Sequence, residues 1–89
     1  MKYDKYDTLG VMMKRYSIEI LKAVNEKPLR FSELRMKVVR NPKTLSINIS
    51  RLLEYGLIEV VPIKTGAKYS NFYRLSDNGK KLLHKIEKI

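Results

Sequence analysis

No cysteine occurs in the 89 residues, and only one histidine, His84. The first absence excludes disulfides, thiol nucleophiles and thiolate metal sites together, and the second excludes a multi-histidine site within one chain. Long apolar runs are missing too: nothing approaches the roughly 20 residues needed to cross a bilayer. The opening MKYDKYDTLG lacks the apolar run of an export signal, so a cytoplasmic protein with no membrane partner is expected. No paired carboxylates, nucleophile with base, or metal ligands stand at a useful spacing, so neither an enzyme nor a bound cofactor is expected.

Acidic residues are scarce. Nine of them face 19 lysines and arginines, a net charge of +10, which attracts polyanions without by itself choosing among DNA, RNA and an anionic membrane. Placement says more. Arg30, Arg35, Lys37, Arg40, Lys43 and Arg51 crowd the middle of the chain against the single acid Glu33, whereas residues 1–29 carry six basic and four acidic groups. The 44% hydrophobic content argues for a folded core, and the length for one domain spanning residues 1–89. A domain this small has little stability in reserve, and pairing with a second copy would bury more surface.

A first helix is expected over about Thr8 to Asn25, with Tyr6, Leu9, Met13, Tyr16, Ile20 and Val24 as its core stripe. Val11, Ile18 and Leu21 fall off that stripe and suggest a second apolar contact. The spacing of Tyr3, Tyr6 and Tyr16 suits packing better than an RNA-stacking platform, and Met12, Met13 and Met36 read as adaptable filler. NEKPL then stops the helix. Phe31, Leu34 and Val38 predict a short second helix, capped by Ser32 and ending near Val39. Asn41 as N-cap and Pro42 at the first helical position make the clearest helix start in the chain. From there Leu45, Ile49, Leu52 and Leu53 form a buried arc up to Tyr55, and Gly56 follows as a left-handed C-cap.

The period then changes. Ile58–Ile63 is β-branched, Tyr69–Leu75 alternates, and KTGAK lies between them, which reads as a hairpin with a long, mobile tip. Pro62 must sit on an open edge, at a bulge or at a strand end. Ser76 caps a last helix whose Leu82, Leu83, Ile86 and Ile89 share a face, with Lys80, Lys81, Lys85 and Lys88 on its solvated side. The fold class is therefore mostly α with a small β-hairpin, in the order helix, helix, helix, hairpin, helix. Two short helices around a tight turn, followed at once by a hairpin, make a winged helix-turn-helix.

An α-helix fits the DNA major groove and presents its first turns to base edges. On the third helix Lys43, Thr44, Ile47, Ser50 and Arg51 face away from the buried arc. Asn48 could read adenine, but lies nearer the core and could instead tie down backbone. Ile47 is either a thymine-methyl contact or an ordinary exposed apolar residue. Glu54 would repel phosphate, so the N-terminal half should enter the groove. Lys64, Lys68 and Arg74 would be wing contacts, and Arg30, Arg35, Lys37 and Arg40 backbone contacts. The competing reading is a winged-helix protein-interaction module within a larger nucleic-acid-processing assembly, which calls for a more apolar outer face on the third helix.

The segments LRFSELR, LSINISRLLEYGLIEV and YRLSDNGKKLL together resemble prokaryotic winged-helix transcriptional regulators of the MarR, ArsR and HxlR-like group. The resemblance covers roughly residues 16–86. It implies a regulator that binds double-stranded DNA as a homodimer, with the Pro42–Tyr55 helix in the major groove and the hairpin around Gly66 as wing. It also implies a dimer interface on the helices containing Ile18 and Ile86. Many HxlR-like proteins carry a redox-sensing cysteine near their first helix, and this chain has none.

Overall fold

The computed structural model describes residues 15–87. Tyr3, Tyr6, Leu9, Val11, Met12 and Met13 of the expected first helix, and Lys88 and Ile89 of the last, lie outside that range. The described elements are helices α1 (Arg15–Glu26), α2 (Phe31–Lys37) and α3 (Pro42–Glu54), strands β1 (Ile58–Thr65) and β2 (Lys68–Leu75), and helix α4 (Asp77–Glu87). This is the mostly helical order with one antiparallel hairpin that the periodicities predict.

The core-facing side of α1 is rotated from expectation. Ser17, Ile20, Leu21 and Val24 are buried, while Tyr16 is 42% exposed. Leu21, expected off the stripe, therefore belongs to the core, and Tyr16 does not. The spacing 17, 20, 21, 24 is helical, but a serine occupies its first position, and a polar residue hides the period from an apolar count. Ile18 is half-buried and packs against the same core. Leu34 from α2, Leu45, Ile49 and Leu52 from α3, and Leu83 from α4 join them in the interior with Leu29, Val39, Leu57, Ile58 and Leu75 from the hairpin and connecting segments, each worth about 1.5–3 kcal/mol of burial.

Helix α2 starts two residues earlier than expected, with Arg30 rather than Ser32 at its N-cap. The Glu33 carboxylate reaches back to accept the Arg30 backbone N–H at 2.9 Å, the acidic half of a capping box. Arg30 itself occupies the N-cap in an extended conformation, although its side chain has no acceptor to offer the helix. At α3 the local chemistry is as expected. Asn41 Oδ1 accepts the Thr44 backbone N–H at 3.0 Å, and Pro42 opens the helix. Its far end closes with Gly56 at φ +71°, where Gly56 N–H donates to the Leu53 carbonyl and Leu57 N–H to the Leu52 carbonyl. Those two bonds are a Schellman closure, and they turn the buried Leu57 back over the last turn.

The hairpin departs from expectation at its tip. Both strands run further, Thr65 pairs with Lys68, and Gly66 and Ala67 alone make the turn, so the tip is short and tight. Thr65 Oγ1 lies 3.2 Å from Ser70 Oγ and braces it. One strand residue escaped the sequence entirely: Leu29, just before α2, bridges to Tyr73 through Leu29 N–H to Tyr73 O (3.0 Å) and Tyr73 N–H to Leu29 O (2.7 Å). The Tyr73 backbone is thus spent on Leu29, so its pairing with Val60 on the other side is a non-hydrogen-bonded one. By alternation Pro62, opposite Asn71, also points its nitrogen away from β2 and forfeits no ladder bond.

Ser76 links the base of the wing to α3 and α4. Its hydroxyl accepts the Gly79 N–H at 3.0 Å as the expected cap of α4, and donates to the Gly56 carbonyl at 2.6 Å. Among the described residues no helix is long and apolar enough to cross a membrane.

Candidate nucleic-acid interface

Burial of Leu45, Ile49 and Leu52 fixes which side of α3 is left outside. Lys43, Ser46, Ile47, Ser50, Arg51 and Glu54 are exposed, Ile47 to 44%, and Thr44 is half-buried. Lys43, Ile47, Ser50 and Arg51 thus stand together on one outward strip with Thr44 at its margin. Ser46 was missed, although the signal was available: it mirrors Thr44 across Leu45, at the same angle from the buried centre.

Asn48 is turned inward. It is 7% exposed, its Nδ2 donates to the Thr44 carbonyl at 2.8 Å, and its Oδ1 accepts the Ser17 hydroxyl at 3.2 Å. Its side-chain oxygen and one amide hydrogen are spent inside the protein, which corrects its expected place on the reading surface in favour of tying down backbone.

The cations divide into two groups. Arg30 lies 3.5 Å from the Glu33 carboxylate and has its guanidinium 5.6 Å from the centre of the Phe72 ring. Arg35 Nε donates to the Arg40 carbonyl at 3.0 Å, bracing the turn between α2 and α3, and Arg74 pairs with Glu59 at 3.0 Å. Each of these three has a partner within the protein while remaining exposed. Arg74 moreover sits beside Leu75 at the base of the hairpin, where with Lys27, Pro28 and Lys80 it lines a shallow cavity of about 190 Å³, so it is not at the wing tip. Lys37, Arg40, Lys43, Arg51, Lys64 and Lys68 are exposed, and among the described residues none forms an ion pair.

In the wing the pairings Lys64 with Tyr69 and Thr65 with Lys68 place Lys64 and Lys68 on opposite faces of the ribbon. At the other end of the helix-turn-helix, Arg35, Met36 and Arg40 line an open depression of about 260 Å³ beside the turn, with Met36 81% exposed. Met36 is therefore surface rather than core filler. Among the described residues Glu33 has a displaced titration: the bond from the Arg30 N–H, helped by the guanidinium charge, holds its carboxyl below the usual glutamate range despite slight desolvation. Among the described residues no group of three or more histidines or carboxylates could hold a metal ion.

Comparison with known proteins agrees with this architecture. A model of the family described as HxlR-like helix-turn-helix matches residues 11–89. An uncharacterized protein of Methanocaldococcus jannaschii is 33% identical over 85 residues, covering 91% of this chain and 71% of its own length. An uncharacterized HTH-type transcriptional regulator from the same organism is 28% identical over 82 residues, with 91% and 77% covered. Among solved structures, the reduced form of the transcriptional regulator YodB from B. subtilis superposes with a TM-score of 0.80 at 18% identity, covering 99% of this chain and 87% of that one. The transcriptional repressor BigR from Xylella fastidiosa gives 0.75 at 20% identity, with 93% and 79% covered. At those identities the two structures speak for the fold, and the family match for the lineage.

Proposed function

The chain belongs to the HxlR-like helix-turn-helix family of transcriptional regulators, and from that premise we propose that it reads specific double-stranded DNA as a homodimeric repressor bound to an inverted repeat. The observation that carries this reading is the outward strip of α3, where Lys43, Ile47, Ser50 and Arg51 are exposed beside a fully committed buried face. Helix α3 enters the major groove by its N-terminal half, because Glu54 at the other end repels phosphate. Thr44 and Ile47 meet base edges, with Ile47 against a thymine methyl, and Lys43 and Arg51 reach guanine or phosphate. Lys64 and Lys68 extend contact along the flanking backbone, and Lys37 and Arg40 hold the strand crossed by α2. Arg30, Arg35 and Arg74 support the surface more than they touch DNA, since each already serves a partner of its own.

Helices α1 and α4 pack against each other, which supports a dimer surface built from both, with Ile18 and Ile86 half-buried at its inner side. Two copies related by a two-fold axis would present their reading helices about 34 Å apart or a multiple of it. The mixed polar face of α3 favours DNA over a protein-interaction role, which would leave a more apolar surface there. Selection from a random duplex library at physiological salt tests the reading. An enriched inverted repeat is expected, and recovery of unenriched sequence would overturn it.

A further inference from the structure

We propose that Ser17 and Asn48 form a positioning pair that sets the rotation of α3, and hence which base edges its outer strip meets, an inference that rests on the DNA-reading function above. Asn48 lies beside Ile47 and one turn from both Thr44 and Arg51, so its seating is shared by the strip. The Thr44 carbonyl can only accept, which obliges the Asn48 amide to turn its NH₂ toward it, at 2.8 Å. The amide oxygen is then left facing α1, where the Ser17 hydroxyl donates to it at 3.2 Å. The Asn41 cap holds the N–H of the same Thr44, so helix start, amide and α1 are joined in one chain of bonds.

Around this pair the seam between α1 and α3 is hydrocarbon: Ile20, Leu21, Leu45, Ile49 and Leu52 are all buried. Apolar burial is non-directional and tolerates a small slide or roll of one helix on another, whereas a hydrogen bond constrains both distance and angle. This side-chain pair is bonded in the interior, whereas the pairs Thr65 with Ser70 and Arg74 with Glu59 are bonded at the exposed surface. Side chains project roughly 5–6 Å from a helix axis, so a roll of about 10° displaces their tips by about 1 Å. That is the difference between a bond to a base edge and a miss. Ser17, 1% exposed on a different helix, has no route to DNA, so any effect it has on sequence preference passes through Asn48.

The test compares the unaltered chain with Ser17→Ala, Asn48→Leu and the double variant, which replaces the polar pair by an apolar one of similar volume and keeps the seam filled. Each is checked for thermal unfolding and then used in duplex selection and in titration against the selected site and a scrambled one. All three variants are expected to narrow the ratio of specific to non-specific affinity by about tenfold or more, the scale of one mismatched base pair. Preference should flatten across every position under α3, while the salt dependence, which counts phosphate contacts, stays the same. A merely structural role would lower the melting temperature and leave the preference of the folded fraction intact, and that result overturns the proposal. So does loss of preference at a single base pair in Asn48→Leu with Ser17→Ala unchanged, which would mean that Asn48 itself reads a base. An unaltered chain that selects no sequence removes the DNA-reading function and this inference with it.

Discussion

The backbone of Gly79, in the first turn of α4, lies directly against the carbonyl of Leu57, and a Cβ on Gly79 would collide with that carbonyl and with the Leu75 side chain. The close approach lets Ser76 span from the Gly56 carbonyl to the Gly79 N–H. Gly79→Ala should therefore cost about 1–3 kcal/mol or more, as overpacking against immovable backbone does. Urea denaturation would show a lower midpoint at unchanged slope, and a midpoint equal to the parent's would refute the close packing.

Removal of the Asn41 cap should cost about 1 kcal/mol in Asn41→Ala, because the Thr44 N–H loses its acceptor. Asn41→Ser or Asn41→Asp should recover most of it. For a domain of this size, about 1 kcal/mol appears as a fall of roughly 4–8 °C in melting temperature.

Glu33 predicts a pH signature. Its carboxyl titrates below the ordinary value of 4.5 because the Arg30 backbone N–H bonds the ionised form, with the Arg30 charge adding to the effect. A group depressed in the folded state contributes stability that is complete above its unfolded value and lost as pH falls through the folded one. The stability gap between the parent and Glu33→Gln should accordingly be constant near neutral pH and close as pH drops below about 4.5. A gap that widened on acidification would contradict the assignment.

The two groups of cations should separate in binding assays. Arg51→Ala and Lys64→Ala should each weaken duplex binding. If the lost contact is to phosphate, the affinity falls evenly across sequences and the salt slope drops by about 1; if it is to a base, discrimination falls by about 1–3 kcal/mol. Arg74→Ala, which breaks only the pair with Glu59, should change affinity far less. Equal losses at Arg74 and Arg51 would argue against the division.

For Ile47, chemistry on the DNA is the cleaner probe. Replacing thymines of the selected site one at a time by deoxyuridine deletes a methyl group and leaves pairing unchanged. One such position should weaken the parent and leave Ile47→Ala indifferent. Insensitivity of the parent at every thymine would reduce Ile47 to an ordinary exposed side chain.

The boundaries of α3 were legible because their causes are local: a cap, a proline and a left-handed glycine lie within a few residues of the bonds they control. Leu29 was not, because a bridge of one residue carries no period and its partner Tyr73 is distant in sequence. The tip of the wing is shorter than its sequence suggests for a related reason. Thr65 is β-branched but stands directly before Gly66, and Lys68 is a weak strand former, yet cross-strand pairing extends the ladder through both. In the candidate site the outward strip followed from helical angles alone, while the engagement of Arg30, Arg35 and Arg74 depended on partners that only the fold brings near. Ser17 illustrates the limit most plainly: a serine at a core position looks like a gap in the pattern, and its purpose becomes visible once Asn48 is across from it.

The outward-facing nitrogen of Pro62 bears on how many copies of this protein can share a confined space. A free strand edge is a template onto which the ribbon of another molecule can add, chain after chain, and β1 has such an edge. With proline in its centre and the charged Lys64 two residues further on, that edge offers an intruding strand a missing donor and then a cation. That edge can lie unpaired by any other strand among the described residues and still not propagate. Pro62→Val would restore the donor, and the resulting protein should grow in mean particle size with concentration in light scattering where the parent does not.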